Sequence, residues 1–218
     1  MKNNNLYFQI LGILYKIWRP RRMKKFEELI RPQSGDIVLD VGGYPETWTS
    51  RPQLTKRIDC VNVFKVKWDS SSFPDHRIVT LIGDGCALDY SDGAYDILFS
   101  NSVIEHVGNW GRQCAFANEA RRIGKKLWVQ TPALECPVEP HYFALFVHWF
   151  PFEIRRRLLR WFTPWGWITK PTQEKIDSSI ESTRLLTKKQ MQTLFPDCII
   201  KTERLLWFLP KSYIAYRL

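Results

Sequence analysis

The sequence has only five cysteines, and no two of them form a Cys-x-x-Cys pair. Their odd number and wide spacing argue against a disulfide framework and against a zinc site, and favour a reducing compartment such as the cytoplasm. Each is expected to be a small buried apolar residue. The five are Cys60, Cys86, Cys114, Cys136 and Cys198.

Long apolar runs are missing as well. No stretch reaches the roughly 20 apolar residues that a membrane-spanning helix needs, and the apolar stretch near the N-terminus lacks the small-residue cleavage site of a signal peptide. No cluster of histidine, cysteine and acidic residues stands out at metal-ligand spacing. The sequence therefore predicts a cytoplasmic, metal-independent protein, and any membrane contact would be made at the membrane surface.

The positive charge is concentrated in two segments. The chain of 218 residues is 44% hydrophobic and 25% charged, which suits one globular domain. Of the net charge of +10, residues 1–31 supply eight basic and two acidic groups, and residues 151–170 supply five and one. Such clustering predicts an anionic partner, which could be a phospholipid surface, nucleic acid or a phosphorylated substrate. Plain solvation of the surface is the alternative.

Residues 36–43 are the first stretch with a chemical signal. A β-branched apolar run, Ile37-Val38-Leu39, ends in Asp40 and is followed by Gly42 and Gly43. The pattern predicts a buried strand that breaks into a tight turn, where glycines let the backbone approach a ligand closely. Open α/β sheets bind ligands at the carboxyl ends of their strands. An ordinary strand-to-helix turn explains this stretch equally well on its own.

A second stretch, residues 84–107, favours the ligand-binding interpretation over the ordinary turn. Asp84-Gly85 is followed by Asp-Gly-Ala-Tyr-Asp-Ile-Leu-Phe-Ser-Asn-Ser-Val-Ile-Glu-His-Val at residues 92–107. Together the two stretches resemble class I S-adenosylmethionine (SAM)-dependent methyltransferases, most closely the type 11 methyltransferase-domain family. The resemblance continues through residues 130–132, 186–187 and 211–215, and covers roughly residues 22–218.

The resemblance implies an α/β fold. A Rossmann-like doubly wound sheet of seven strands, mostly parallel with an antiparallel C-terminal hairpin, would carry helices on both faces. We expect residues 1–31 to form a basic amphipathic helical segment, with one helix over 6–18 broken at Pro20 and another over 23–30. Residues 32–218 would form the methyltransferase domain, with an aromatic and basic lid at about 143–185. Thr187 is a plausible N-cap of a helix over 186–195.

The resemblance also implies SAM as cofactor and assigns residues to it. These are Asp40, Gly42 and Gly43 at the first turn, Asn62 at the end of the second strand, Asp84 and Gly85 after the third, and Ser100 at the end of the fourth. Asn101, at the same strand end as Ser100, also lies beside the cofactor in the family. The sequence departs from the family at Tyr44 and Glu46, where a fuller motif has glycines, and at Asn62, where the family has an acid that holds the ribose hydroxyls.

The catalytic candidate is His141. It lies near the end of a proline-rich loop, residues 131–142, that leaves the carboxyl end of the fifth strand, where substrates bind. Histidine is the side chain best suited to accept a proton near neutral pH. A histidine that only orders the loop is the alternative. His106 also invites a catalytic interpretation, but in the family this position is mostly structural.

Two segments combine basic and aromatic residues, 6–25 and 143–167. Either could contact an anionic membrane surface. A nucleic-acid face with stacking aromatics is a second interpretation, and a lid folded onto its own core is a third. We favour membrane over nucleic acid, because no RNA-binding module is recognisable. The sequence does not indicate an oligomeric state.

Three functions follow from these observations. The first is transfer of a methyl group from SAM to an oxygen or nitrogen of a small-molecule, glycan or lipid-linked acceptor. The second is methylation of RNA, motivated by the isoelectric point of about 9.5. The third is a binding or scaffold protein that keeps the fold without catalysis, motivated by the reduced glycine motif and by Asn62.

Overall fold

The computed structural model of the chain describes residues 20–139 and 141–218. The helix predicted over residues 6–18 lies outside the described residues. Pro20 stands at the start of the described part of helix α1, residues 20–30. No helix of the described part combines the length and hydropathy needed to cross a membrane.

Seven strands form one sheet in the order β3-β2-β1-β4-β5-β9-β8. β1 to β5 are mutually parallel where they pair, and β9 runs antiparallel to both β5 and β8. The predicted doubly wound sheet with an antiparallel C-terminal hairpin is confirmed. The strands of the chain are β1 (Ile37–Val41), β2 (Arg57–Asn62), β3 (Ile78–Ile82), β4 (Tyr95–Asn101), β5 (Gly124–Pro132), β6 (Val138–Glu139), β7 (Ala144–Leu145), β8 (Ile199–Leu205) and β9 (Leu209–Arg217).

Helices cover both faces of the sheet, which explains the continuous apolar runs in its parallel strands. On one face Leu39 belongs to a core with Phe116 of α2 (Trp110–Ile123) and Met191 of α6 (Lys188–Leu194). On the other face Val38 belongs to a core with Phe26 of α1. Neighbouring residues of β1 thus point to opposite cores, as the pleat requires.

The predicted N-cap at Thr187 is confirmed. Its side chain accepts from the backbone N–H of Gln190, and the Gln190 side chain accepts from the backbone N–H of Thr187. This reciprocal capping box satisfies two N–H groups that the first turn of α6 would otherwise leave unpaired, and such a cap is worth about 1 kcal/mol.

The region predicted as a lid folds into three helices: α3 (Phe152–Trp161), α4 (Pro164–Thr169) and α5 (Gln173–Glu181). They enclose a small apolar core of their own that includes Leu159, Trp165 and Ile176. Arg156 of α3 binds both carboxylate oxygens of Asp177 of α5, at 2.7 and 2.8 Å. The division into a segment 1–31, a domain 32–218 and a lid at 143–185 stays a prediction.

Candidate functional site

A cavity of about 380 Å³ opens at the carboxyl ends of β1, β4 and β5. This is the edge of the sheet at which α/β proteins bind their ligands. The strand ends contribute Asp40, Gly42, Gly43, Asn101, Ser102, Gln130 and Pro132 to its wall. Other parts of the chain contribute Arg22, Met23, His106, Phe143, His141, Leu205 and Lys211, among others.

The turn after β1 is held tightly against its own strand. The indole N–H of Trp48 donates to Oδ2 of the buried Asp40 at 2.8 Å. The backbone of Gly43 passes so close to this carboxylate that a Cβ at position 43 would lie 1.7 Å from Oδ2. At Gly42, φ is +77° and a Cβ would lie 2.4 Å from Val103. Glycine is therefore required at both positions, and both face the cavity.

Asn62 supports this turn and is not among the residues lining the cavity. It is buried at the end of β2, and its Nδ2 donates to the carbonyl oxygen of Gly43 at 2.8 Å. A carboxylate cannot donate, so the acid expected at this position would place two acceptors against each other. The departure at Asn62 thus has a structural reason, whereas its contact with a ribose stays a prediction.

We expect Asn62→Asp to destabilise the protein by about 1–3 kcal/mol at neutral pH, because it leaves the Gly43 carbonyl facing a buried carboxylate. Only the protonated carboxyl can donate, so its pKa in the folded state would be raised. The folded state of the variant then binds a proton more readily than the unfolded state does. The loss in the free energy of unfolding caused by Asn62→Asp should therefore shrink as pH falls from 8 to 5. Urea unfolding across this pH range measures it. Asn62→Ala is the control, and a pH-independent penalty in Asn62→Asp would contradict the explanation.

Asp84 and Gly85 lie at the same edge of the sheet but are not among the lining residues. Asp84 accepts from the backbone N–H of Cys86 at 3.0 Å and pairs with Arg112 through both oxygens, at 2.9 and 2.8 Å. The N–H of Cys86 and the Arg112 guanidinium hold the pKa of Asp84 below its usual value. Gly85 sits where a Cβ would meet Val41 at 2.8 Å and Phe116 at 3.0 Å.

Ser100 does not present its hydroxyl to the cavity. It is fully buried, and its Oγ donates to the carbonyl oxygen of Val41 at 2.9 Å, which links β4 to β1. Asn101, which the resemblance places beside the cofactor, does line the cavity, and so do Ser102 and Gln130, which sequence reasoning missed. Ser102 donates to Gln130 Oε1 at 3.1 Å. Their position at the ends of predicted strands was the signal that could have identified them.

His141 faces the cavity together with His106. Nδ1 of His141 lies 2.6 Å from Oε1 of the buried Glu139, and its Nε2 lies 3.2 Å from Nε2 of His106. The other oxygen of Glu139 accepts from the backbone N–H of Tyr142 at 2.9 Å, which orients the carboxylate. Burial alone would lower the pKa of His141, but Glu139, with a smaller contribution from Glu105, raises it above its usual value.

Glu105 lies beneath the two imidazoles. It is fully buried, and its Oε2 accepts from the hydroxyl of Thr131 at 2.9 Å. Its Oε1 has no hydrogen-bond partner among residues 20–139 and 141–218. Burial raises the pKa of this carboxyl group. Glu105, His106 and His141 each bring one potential ligand atom within 4.8 Å of the others, a grouping that their spacing in the sequence does not reveal.

The rim near β8 and β9 is basic. Arg22 and Lys25 pair with Glu203 at 3.3 and 3.5 Å. Lys211, which lines the cavity, is buried enough that its pKa is lowered, with the nearby charge of Arg22 acting in the same direction. Positive groups at the entrance favour a ligand that carries negative charge.

Comparisons with known proteins establish the fold. No protein-family model and no curated protein matches the sequence. Among solved structures, the PH0226 protein of Pyrococcus horikoshii superposes with a TM-score of 0.55 at 16% identity, over 93% of this chain and 89% of that one. A candidate sarcosine dimethylglycine methyltransferase of Galdieria sulphuraria gives 0.54 at 15% identity, over 88% and 63%.

A candidate zinc-dependent alcohol dehydrogenase of Rhodobacter sphaeroides gives a TM-score of 0.57 at 14% identity, over 90% of this chain and 88% of that one. These proteins have different names, and their sequence identity to this chain is low, so the structural similarity establishes the fold only. The activity has to be argued from the site. The strand order, with its antiparallel β9 between β5 and β8, agrees with the sequence resemblance. The chain has the fold of class I SAM-dependent methyltransferases.

Proposed function

We propose that this chain is a SAM-dependent methyltransferase that acts on an oxygen or nitrogen of a small-molecule, glycan or lipid-linked acceptor. The observation that carries the proposal is the turn at Gly42 and Gly43. A Cβ at position 43 would overlap the Asp40 carboxylate and one at position 42 would overlap Val103. The two positions therefore line the cavity with backbone, at the sheet edge where this fold binds its ligand. When bound, SAM supplies a methyl group already activated on a sulfonium.

The residues present fit this cofactor. Asp40 offers a buried carboxylate, and the glycines offer backbone that a ligand can approach without meeting a Cβ. Asn101 and Ser102 add polar groups at the end of β4. We assign Asp40, Gly42 and Gly43 to the cofactor directly. Asn62, Asp84, Gly85 and Ser100 would serve by shaping this edge, since their side-chain bonds or packing are already made within the protein.

The acceptor would bind at the His106–His141 end of the same cavity. Glu139 fixes the orientation of the His141 ring, whose Nε2 faces His106, and both rings line the cavity. Holding two reactants in one cavity supplies most of what a methyl transfer asks of a protein, because the cofactor already carries the activation. We assign to His141 the activation of the acceptor.

The lid presents an apolar and basic surface that fits an acceptor held at an anionic membrane. Trp161, Phe162 and Trp167 are exposed by 64%, 70% and 59%. Arg157 and Arg160 are exposed beside them, and the guanidinium of Arg160 lies 5.3 Å from the Trp161 ring centre. Aromatic side chains next to arginines are suited to the interface of an anionic bilayer. RNA bases could stack on the same aromatic side chains, but the residues that the structure describes show no further feature that favours RNA.

The double change Trp161→Ser and Phe162→Ser should weaken binding to phosphatidylserine-containing vesicles by at least about tenfold, since each ring buries apolar area worth about 1.5–3 kcal/mol. Vesicle co-sedimentation measures this. Ile199→Ser, at the start of the edge strand β8, removes an exposed apolar side chain outside the lid and should leave vesicle binding unchanged. Unchanged binding in the double variant would contradict the membrane surface. Salt-sensitive binding to RNA instead of vesicles would favour the RNA alternative.

The function itself is tested by calorimetric titration of SAM and of its demethylated product into the purified full chain. Saturable one-to-one binding supports the proposal. Absence of binding would contradict it and favour a scaffold protein that keeps the fold. Acceptor screening would then follow transfer of a labelled methyl group, starting with glycolipids in vesicles.

A further inference from the structure

The two histidines of the cavity meet through the same ring nitrogen. Nε2 of His106 lies 3.2 Å from Nε2 of His141. The opposite nitrogens are both held by acceptors: Nδ1 of His141 lies 2.6 Å from Glu139 Oε1, and Nδ1 of His106 lies 3.1 Å from the carbonyl oxygen of Ser182. The Thr183 hydroxyl also lies 3.4 Å from Nδ1 of His106 and can accept there. Because the closer partners, the Glu139 carboxylate and the Ser182 carbonyl, cannot donate, both Nδ1 atoms carry the proton.

With Nδ1 protonated on both rings, the Nε2 atoms of the two rings face each other. Two lone pairs at this distance repel, and the contact requires a positive charge between them. A shared proton is one solution and a metal ion is the other. Two nitrogens bound to one zinc at about 2.0–2.1 Å with tetrahedral angles lie about 3.3 Å apart, which matches the separation in the structure.

Glu105 supplies a third ligand. The fully buried carboxylate has one oxygen on Thr131 and another without a hydrogen-bond partner in the part of the chain that the structure describes. Its ligand atom and those of His106 and His141 all lie within 4.8 Å of one another. A buried polar atom without a partner is costly, and coordination would satisfy it.

Two buried carboxyl groups beside the histidine pair suit a divalent ion. Glu105 and Glu139 are 0% and 1% exposed. Within residues 20–139 and 141–218, neither forms an ion pair with a lysine or arginine. Together with the two imidazoles, these carboxyl groups offer the oxygen and nitrogen ligands and supporting acceptors that a divalent transition metal uses.

We propose that Glu105, His106 and His141 bind a divalent transition-metal ion, with zinc as the best match to two imidazoles and one carboxylate. Glu139 and the Ser182 carbonyl would accept from Nδ1 of His141 and of His106 and so orient the two rings. Metal-bound histidines usually have such an acceptor on the ring nitrogen that does not bind the metal. His106 and His141 line the cavity, so the open coordination position faces it.

The use of this ion rests on the proposed function. A hydroxyl of the acceptor bound at the open position would become more acidic; its O–H bond breaks, the proton leaves to water, and the oxygen stays on the metal as an alkoxide. His141 then activates the acceptor as a metal ligand, and not as the general base that the sequence suggested.

The test uses the purified full chain, stripped with a chelator and dialysed. Zn²⁺ is titrated in by calorimetry against a competing chelator, and Co²⁺ is added separately to read its visible ligand-field bands. We expect one Zn²⁺ per chain and intense Co²⁺ bands of a four- or five-coordinate site. His106→Gln and Glu105→Gln should weaken Zn²⁺ binding at least about 100-fold, and Glu139→Gln about 10–100-fold. His76→Gln, whose ring contacts the Arg51 carbonyl instead, should leave it unchanged.

No saturable Zn²⁺ binding in the unmodified chain, or binding that survives His106→Gln, would overturn the metal site. SAM is titrated into the same stripped and reloaded samples, which separates this proposal from the proposed function. SAM binding without Zn²⁺ binding would refute the metal and leave the methyltransferase with a protonated histidine pair. Zn²⁺ binding without SAM binding would keep the metal site and refute the methyltransferase.

Discussion

Gly43→Ala is expected to weaken SAM binding at least about 100-fold, equivalent to about 2.7 kcal/mol. The added Cβ would fall 1.7 Å from Oδ2 and 2.0 Å from Cγ of Asp40. Asp40 cannot move freely, because it is buried and accepts the indole N–H of Trp48. Either the carboxylate leaves Trp48 or the turn shifts into the cavity, and both change the edge that we assign to the cofactor. Titration calorimetry with SAM measures the loss.

Two variants make this result interpretable. Gly35→Ala adds the same methyl group in an exposed turn just before β1, where a Cβ meets nothing within 4 Å, and it should bind SAM normally. Asp40→Asn keeps an acceptor for Trp48 but removes the charge, and should cost about 10–100-fold in affinity, the range for a charged hydrogen bond. Normal SAM binding by Gly43→Ala, with an unchanged unfolding temperature, would show that the cofactor does not use this turn.

His141→Gln is expected to lower turnover about 10²- to 10⁴-fold, the range for loss of a group that activates the acceptor. Its SAM affinity should stay within about twofold, because Asp40, Gly42 and Gly43 are untouched. The measurement is transfer of a labelled methyl group to the first acceptor that the screen identifies, with calorimetry of SAM on the same preparation.

His76→Gln is the matched control for this loss, since it removes a histidine that bonds the Arg51 carbonyl at 2.8 Å and is not among the residues lining the cavity. Glu139→Gln keeps the shape of the Glu139 side chain but removes its charge. It should lower turnover by less than His141→Gln does, because the ring stays in place with a weaker partner. Unchanged turnover in His141→Gln would show that His141 does not activate the acceptor.

Much of the fold was predictable because its signals are local. The β-branched run 37–39 and its glycine turn, the strand in residues 92–107, and the cap at Thr187 depend on neighbours a few residues away. The order of these elements then leaves few topologies open. The same local signals located Asp40, Gly42 and Gly43, which the structure brings to one cavity together with His141.

Roles that depend on which groups meet across the fold could not be read from local patterns. Ser100 and Asn62 stand at strand ends as predicted, but their hydrogen bonds go to Val41 and Gly43 within the protein. Asp84 is bound to Arg112, 28 residues away. A strand-end position predicts the edge of the sheet that a residue occupies, whereas the partner of its side chain depends on the neighbouring elements.

The sequence by itself determined a doubly wound sheet, a glycine turn beside Asp40, and a loop that carries His141, because periodicity, turn chemistry and motif are properties of short segments. Only the tertiary structure decided that Glu105, His106 and His141 lie together, that residues 143–185 enclose a small core of their own, and that the cavity has a basic rim near β8 and β9. Contacts between residues 35 or more positions apart depend on how the elements pack in three dimensions, which cannot be read from the spacing of residues along the sequence.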